Sequence, residues 1–135
     1  LMSLQEDALT NVKVLIDDAV DILTTRIASQ SVDEFLIFFP DPWPKKRHHK
    51  RRLVNTDFLS SLARCLKPKG LIHIATDWDD YAKAIVDLIR AESRLHNLSE
   101  QGFSPRPAFR PETKYERRGV RLGHQVYDII ARRYP

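Results

Sequence analysis

The amino-acid sequence predicts an α/β protein in which a mostly parallel sheet carries helices on both faces. Short apolar runs, typical of buried strands, alternate with segments whose apolar residues recur at helical spacing. Turns that contain proline or glycine separate several of these segments. Such an alternation favours parallel strands joined by helical crossovers. Because 135 residues with 42% hydrophobic content suffice for a core, we expect residues 1–135 to form a single domain.

Two apolar runs in the first half of the chain predict the first strands. Asn11–Asp17 is typical of a short buried strand, and the spacing of apolar residues predicts a helix over Asp18–Ala28. Phe35–Phe39 is apolar throughout, which is typical of a strand covered on both faces. Three prolines follow it and end it, since proline lacks the N–H donor that a strand interior needs. Residues 1–9 are expected to be the end of a helix.

The second half continues the alternation. Asn55 and Thr56 have side chains that can cap a helix start. The remaining predicted elements are a helix from there to about Leu66, a turn at Lys67–Gly70, a strand over Leu71–Thr76, a helix from Trp78 to about Glu92, a looser stretch over Asn97–Gly119 and a strand over Gln125–Ala131.

Acidic residues follow three of the predicted strands. They are Asp17 and Asp18 after the first, Asp41 after the second and Asp77 after the third. Ligands of open parallel sheets bind beyond the carboxyl ends of the strands, so these acids mark a candidate site. Helix capping would explain Asp17 or Asp77 equally well. It does not explain Asp41, which stands between two prolines and precedes no helix.

Asp41 and Trp43 together form a candidate receptor for a nucleobase. The prolines beside Asp41 restrict the backbone and so aim the carboxylate at little cost in entropy. A carboxylate beside an aromatic plane suits guanine, whose N1–H and amino group are adjacent donors. The alternative is a proline-rich turn in which Trp43 covers the core.

A strongly basic run begins two residues after Trp43. Six of the eight residues over Lys45–Arg52 are Lys or Arg, in a chain whose net charge is only +4. Cations concentrated in this way suit the phosphates of a nucleic acid. A solvated charge run and a nuclear-localisation signal are the alternatives. Arg106, Arg110 and Lys114, in the proline-rich stretch, form a candidate second RNA clamp or lid, or a solvated loop.

Three motifs, taken together, resemble one family. FFPDPWPKKRHHKRR at 38–52, ATDW at 75–78 and RPETKYERRGVRLGH at 110–124 are similar to the successive signatures of the bacterial tRNA (guanine-N7-)-methyltransferases. The resemblance runs over essentially the whole chain. It implies the Rossmann-like class I methyltransferase fold, S-adenosylmethionine as methyl donor, tRNA as partner and N7 of guanine 46 in the variable loop as the methylated atom.

The resemblance also implies roles for individual residues. Asp41 resembles the catalytic acid, which also lies against the methyl donor, and Asp18 resembles a cofactor contact near the adenine. The implied substrate-binding residues are Lys45, Asp77, Thr113, Lys114, Tyr115 and Glu116. The implied RNA contacts are Lys46, Arg47, His48, His49, Lys50, Arg51 and Arg52.

The implied reaction agrees with this choice of residues. Guanine N7 already carries a lone pair, so its methylation needs no general base. The base becomes cationic as the methyl group arrives, and a nearby carboxylate stabilises that charge and orients the ring.

One part of the family pattern is missing from the sequence. The expected first strand, glycine-rich turn and second strand have no counterpart, and the four glycines form no G-x-G turn. The chain therefore resembles the C-terminal portion of a class I methyltransferase domain, and we expect it to bind S-adenosylmethionine poorly by itself. The alternative function is a catalytically inactive, truncated homologue that binds RNA. A DNA-binding protein is a weaker alternative, because no helix-turn-helix or zinc pattern is present.

The remaining residues favour simple expectations. The sequence has no apolar run long enough for a membrane span and no ligand spacing for a metal. A single cysteine excludes an internal disulfide, and the cytoplasm is the expected compartment. His73, within a predicted strand, is expected to be a hydrogen-bonded core residue. The sequence leaves monomer and homodimer equally open.

Overall fold

A computed structural model of the chain describes residues 10–112, 114–121 and 125–135, without the side chains of residues 115 and 119–121. The helix expected within residues 1–9 lies outside the described residues. The helices are α1 (Ala19–Thr25), α2 (Thr56–Cys65), α3 (Asp79–Ala91) and α4 (Lys114–Arg121), with a 3-10 helix at Lys46–Arg51. The strands are β1 (Val32–Phe38), β2 (Leu66–Thr76), β3 (Leu95–Asn97) and β4 (Tyr127–Arg133).

The four strands of the described residues form one sheet in the order β1-β2-β4-β3. β1 and β2 are parallel, whereas β4 is antiparallel to both β2 and β3. The α/β class is confirmed, but the sheet is mixed and not mostly parallel. The physical reason is the connection: β4 follows a long irregular segment instead of a helical crossover, so the chain re-enters the sheet from the opposite end.

One face of the sheet is covered by helices. Ile72 and Ile74 of β2 and Ile129 of β4 are fully buried in a core that also contains apolar side chains of α2 and α3. Asn55 caps α2 as predicted, its Oδ1 accepting the N–H of Phe58 at 2.9 Å. The predicted helices of this half are thereby confirmed to within a few residues.

The other face carries His73 of β2 and Asp128 of β4, and a loop reaches it. Phe109 lies edge-on to His73 at 5.7 Å between ring centroids, and the buried Arg110 binds Asp128. Both loop residues precede α4, which the sequence did not predict because the segment is rich in proline and charge. Helices α1, α2 and α3 share the core of the first face.

The predicted strand over Asn11–Asp17 is wrong. These residues have no regular structure, and the side chains of Val14 and Ile16 are 50% and 91% exposed. The segment is not part of the sheet that the described residues form. Likewise Leu36 and Phe38 of β1 are partly exposed, so only the face of β1 that carries Phe35 packs on the core.

The predicted turn at Lys67–Gly70 is a bulge inside β2. Val32 pairs with Leu66 and Glu34 pairs with Leu71, so residues 67–70 all face Asp33. Lys69 has a φ of 69°, and a Cβ added to Gly70 would lie 2.9 Å from the carbonyl oxygen of Lys67. Glycine is therefore required where the bulge rejoins the strand.

Candidate active site

The loop after β1 holds Asp41 in a fixed turn. The N–H of Phe39 donates to the carbonyl of Ala75 on β2 at 2.7 Å, which ties the start of the loop to the sheet. Asp41 is exposed, and its Oδ1 accepts the N–H of Trp43 at 3.0 Å. Phe39 and Trp43 have φ values of 54° and 41°, which are unusual for large side chains. The loop is therefore specified by its own hydrogen bonds as well as by its prolines.

The basic run, except for its first and last residues, is a 3-10 helix that packs against Trp43. His48 lies edge-on to the Trp43 ring at 5.8 Å, and the Arg51 guanidinium lies 5.2 Å from the ring centroid. Trp43 is half-buried, so its indole is shared between the loop and the basic helix. Lys46, Arg47 and Lys50 are exposed and present their charges to solvent.

Arg52 differs from the rest of the basic run because it is buried. Its side chain is 7% exposed; Nε donates to the carbonyl of Pro42 at 2.6 Å and Nη2 donates to Asp80 at 2.7 Å. The guanidinium also lies 4.5 Å from the ring centroid of Tyr81. This placement argues against the RNA contact predicted for Arg52. Six neighbouring cations look alike in a sequence, and the partners that bury one of them come from α3.

A cavity of about 1030 Å³ lies beside this loop, at the carboxyl ends of the parallel strands β1 and β2. It is bounded by the loop after β1, the loop between β2 and α3, and the start of β4. Its lining residues are Phe39, Pro40, Pro42, Pro44, Asp77, Trp78, Asp79, Asp80, Gln125 and Tyr127. Asp77, a predicted substrate contact, lines the cavity, and so do the two prolines that flank Asp41.

Two further carboxylates at the start of α3 border the cavity. Asp79 accepts hydrogen bonds from Lys83 at 3.0 Å and from the hydroxyl of Tyr127 at 2.9 Å. These bonds, with that of Lys83 the stronger, hold the pKa of Asp79 below its usual value. Asp80 is bound by Arg52, and no pattern in the sequence indicated the partners of Asp79 or Asp80. The wall of the cavity is thus acidic while the adjoining helix is basic.

A buried ion network fixes the segment before α4. Arg110 is 2% exposed and binds Glu116 at 2.6 and 2.8 Å and Asp128 at 2.7 and 2.9 Å. His73 Nε2 lies 2.7 Å from Asp128, which confirms His73 as a hydrogen-bonded core residue. The bonds to Glu116 and then Asp128 raise the pKa of Arg110. Arg110 is therefore no RNA clamp, and Glu116 is held by protein.

An isolated acid in an apolar strand was the available signal for this network. Asp128 stands between Tyr127 and Ile129 in β4, and a buried carboxylate requires partners. The identity of the partner was not accessible from the sequence, since Arg110 looked like one of several loop cations.

The other predicted site residues are spread around the cavity or away from it. Lys45 and Lys114 are exposed, and Lys45 directly precedes the basic helix. Thr113 and the side chain of Tyr115 lie outside the described residues. Asp18 caps α1, its Oδ1 accepting the N–H of Val20 at 2.8 Å, and it is not among the residues that line the cavity.

The described residues match only part of a site for S-adenosylmethionine. The two described glycines outside α4 serve local structure: Gly70 closes the β2 bulge, and Gly102, with a φ of 99°, packs on Val86. Neither forms a turn that could approach a ligand closely. The described residues therefore contain no glycine turn of the kind that holds part of the methyl donor in the family that the sequence resembles.

Two negative findings apply to the described part of the chain. Among these residues no group of three or more His, Cys, Asp or Glu side chains could hold a metal ion. None of the helices in the same residues is both long and apolar enough to cross a membrane.

The fold is that of a class I methyltransferase. The model of the family described as "Putative methyltransferase" matches residues 1–129, so the chain belongs to that family. Among its relatives, the tRNA (guanine-N(7)-)-methyltransferase of Legionella pneumophila strain Corby is 52% identical over 128 residues, 94% of this chain and 57% of the relative. The protein of that name from Nitrosospira multiformis is 49% identical over 133 residues, 98% of this chain and 58% of the relative.

The chain thus spans little more than half the length of these relatives. Solved structures agree on the fold. A SAM-dependent O-methyltransferase from Thermotoga maritima superposes with a TM-score of 0.56 over 99% of this chain and 44% of that protein, at 16% sequence identity.

Proposed function

We propose that the protein to which this chain belongs transfers a methyl group from S-adenosylmethionine to N7 of guanine 46 in the variable loop of tRNA. The observation that carries the proposal is the position of Asp41. The acid is held at the end of β1 between cavity-lining prolines and next to an exposed basic helix, in a chain about half identical to proteins named for this reaction.

The geometry supports recognition of guanine through orientation and negative potential. Asp41 is exposed and turned by its bond to Trp43, so its second carboxylate oxygen is available to a base. The acids at 77–80 extend the negative wall along the cavity. A cationic base, such as guanine becomes on N7 methylation, is stabilised by such a wall, and no proton transfer from N7 is needed.

The basic helix supports the choice of a polyanion as partner. The cations at Lys45, Lys46, Arg47 and Lys50 are exposed, and they follow directly after the cavity-lining loop. We propose that they contact tRNA phosphates on either side of the target base. Each phosphate contact makes the affinity fall steeply with salt.

One observation favours a second candidate function for the chain by itself. The exposed cations are present, while the glycine turn for the methyl donor is not. By itself the chain would then bind RNA without catalysing methyl transfer.

A methylation assay on two proteins tests the proposal. The first is this chain, and the second, here called the completed enzyme, is a fusion that adds the part of the Legionella pneumophila relative that the chain does not cover. Each is incubated with unmodified tRNA and labelled S-adenosylmethionine, and N7-methylguanine is mapped by strand scission. We expect methylation at guanine 46 by the completed enzyme and RNA binding without methylation by the chain. Scission elsewhere, or methylation that resists N7-specific scission, contradicts the proposal.

A further inference from the structure

The last residue of the basic run faces inward, towards the loop that carries Asp41. Arg52 bonds the carbonyl of Pro42, the residue that follows Asp41, and it bonds Asp80 at the start of α3. Its guanidinium also lies over the ring of Tyr81, which is fully buried. One side chain therefore joins the acid-bearing loop to a helix of the core.

The loop needs such an anchor from outside. Its prolines fix φ at alternate positions, and the Asp41–Trp43 bond closes a local turn. These constraints make the loop stiff, and the bond from the Phe39 N–H to Ala75 ties its start to the sheet, but neither sets the orientation of the Asp41 turn relative to the cavity. Arg52 supplies that orientation, because its planar guanidinium donates in two fixed directions at once.

His49 provides a second contact between the 3-10 helix and the loop that carries Asp41. Its Nε2 lies 3.2 Å from the carbonyl of Pro44 and 3.7 Å from Asp80. His49 and Arg52 thus point inward, whereas Lys46, Arg47 and Lys50 are exposed. The helix that carries the outward cations is the same helix that holds the loop.

We propose that Arg52, with Asp80 as its counter-ion, is a positioning residue that aims Asp41, and that it couples the basic helix to the acid. The proposal rests on the proposed function, because the orientation of Asp41 affects the reaction only if Asp41 acts in methyl transfer. In this role Arg52 acts through the Pro42 peptide, whose carbonyl accepts its Nε–H.

Kinetics of the completed enzyme test the proposed role. Arg52→Gln removes the charge and the paired donors of the guanidinium. Arg52→Lys keeps the charge but cannot donate in the same two fixed directions. We expect kcat for methyl transfer to fall about 100-fold in Arg52→Gln, because displacement of a reacting group by about 1 Å has an effect of this size. The tRNA Kd and its salt dependence should change less than about two-fold. A phosphate contact would instead weaken binding and reduce the salt slope by about one.

Arg90→Gln is the matched control. Arg90 is an exposed arginine in the last turn of α3 that pairs only at the surface with Asp87, so its loss should change neither constant. Asp80→Asn should reproduce the kcat loss of Arg52→Gln, and the double variant should lose little more than either one. Additive losses overturn the pairing of Arg52 with Asp80.

A second measurement uses this 135-residue chain and needs no activity. In a Trp78→Phe background Trp43 is the only tryptophan, and its quenching by acrylamide reports the loop. We expect the quenching constant to rise about two-fold or more in Arg52→Gln and to stay unchanged in Arg90→Gln. If Arg52→Gln does not fold by circular dichroism, Arg52→Lys and Asp80→Asn carry the same test.

The two measurements separate the possible failures. Unchanged quenching together with unchanged kcat overturns the positioning role, and weaker tRNA binding at normal kcat assigns Arg52 to the RNA surface. A completed enzyme without methyl transfer overturns the proposed function, while the quenching of Trp43 still decides whether Arg52 holds the loop.

Discussion

Asp41 combines two roles in one side chain, and they can be separated. One oxygen accepts the N–H of Trp43, and the charge faces the solvent beside the cavity. Asparagine keeps the acceptor and removes the charge, whereas alanine removes both. We expect Asp41→Asn in the completed enzyme to lower kcat about 100-fold to 1000-fold, as loss of one charge-stabilising group does. tRNA affinity should stay within about two-fold in a filter-binding assay.

The alanine variant provides the comparison. Asp41→Ala should abolish methyl transfer and also loosen the loop, which Trp43 quenching detects. Loss of tRNA binding together with activity in both variants would mean that Asp41 is structural.

At the residue scale, the sequence predicts a side chain's position better than its partners. The Pro-Asp-Pro motif directly after an apolar strand placed Asp41 correctly at a strand end. The sequence predicts Arg52 as an RNA contact and offers Arg110 as part of an RNA clamp or lid, yet both side chains are buried. Their burial depends on Asp80 and Asp128, which are distant in sequence, so no local pattern could separate them from their exposed neighbours.

The segment before α4 is held to the sheet by one cation between two carboxylates. Arg110→Met would leave Glu116 and Asp128 buried without their counter-ion. Removing one partner of a buried ion pair costs about 3–5 kcal/mol, so we expect a loss of that size in the free energy of unfolding. Urea denaturation followed by circular dichroism measures it.

A surface ion pair gives the control for this variant. Arg117 pairs with Glu112, and its side chain is 62% exposed. Arg117→Gln should cost less than about 1 kcal/mol. Similar losses in the two variants would show that burial does not strengthen the role of Arg110.

The same network predicts an acid-dependent loss of stability. Burial alone would raise the pKa of Asp128, but hydrogen bonds from His73 and Arg110 outweigh it and hold the pKa below the usual 3.8. A lowered folded-state pKa stabilises the fold above the usual pKa, and this contribution is lost as pH falls through the folded value. We therefore expect Asp128 to contribute nothing to the pH dependence at neutral pH and to reduce stability below about pH 4.

Urea denaturation between pH 3 and pH 7 measures this dependence. The wild-type chain should lose more stability on acidification than Asp128→Asn does, although the variant starts from a lower value. Parallel curves would assign the acid sensitivity to other carboxylates.

At the scale of helices and strands, apolar spacing and capping residues predicted an element correctly where the element is determined by its own residues. The cap at Asn55 and the apolar spacing of α2 and α3 predicted both helices. The orientation of β4 was not accessible, because it depends on the path of the connection and not on the strand's composition. The sequence did not predict helix α4, because its eight residues are mostly charged and follow a proline-rich stretch.

For the whole molecule, the consequence concerns the methyl donor. The described glycines serve a bulge and a packing contact, and the sequence has no glycine turn after a strand. We expect this chain to show no saturable heat with S-adenosylmethionine up to about 1 mM, which corresponds to binding weaker than about −4 kcal/mol. Calorimetric titration measures this, with the completed enzyme as the positive control. Stoichiometric, tight binding to the chain alone would contradict the expectation.

The apolar run at Asn11–Asp17 shows where the sequence-based prediction differs from the structure at this scale. Its composition is that of a buried strand, but Ile16 is 91% exposed and the segment does not join the described sheet. An apolar segment is buried only when another surface packs against it. The composition of the segment does not show whether such a surface is present. The same holds for Leu36 on β1, which is 53% exposed.

The bulge in β2 has a consequence for how the length of this chain can change. In a regular strand, the loss or gain of one residue turns every later side chain to the opposite face. Here residues 67–70 all stand opposite Asp33, outside the regular pairing that resumes at Leu71. A residue added among them enlarges the loop and leaves His73 facing Asp128. We therefore expect this point of β2 to tolerate insertions, and a peptide tag placed there should leave the remainder of the sheet in register.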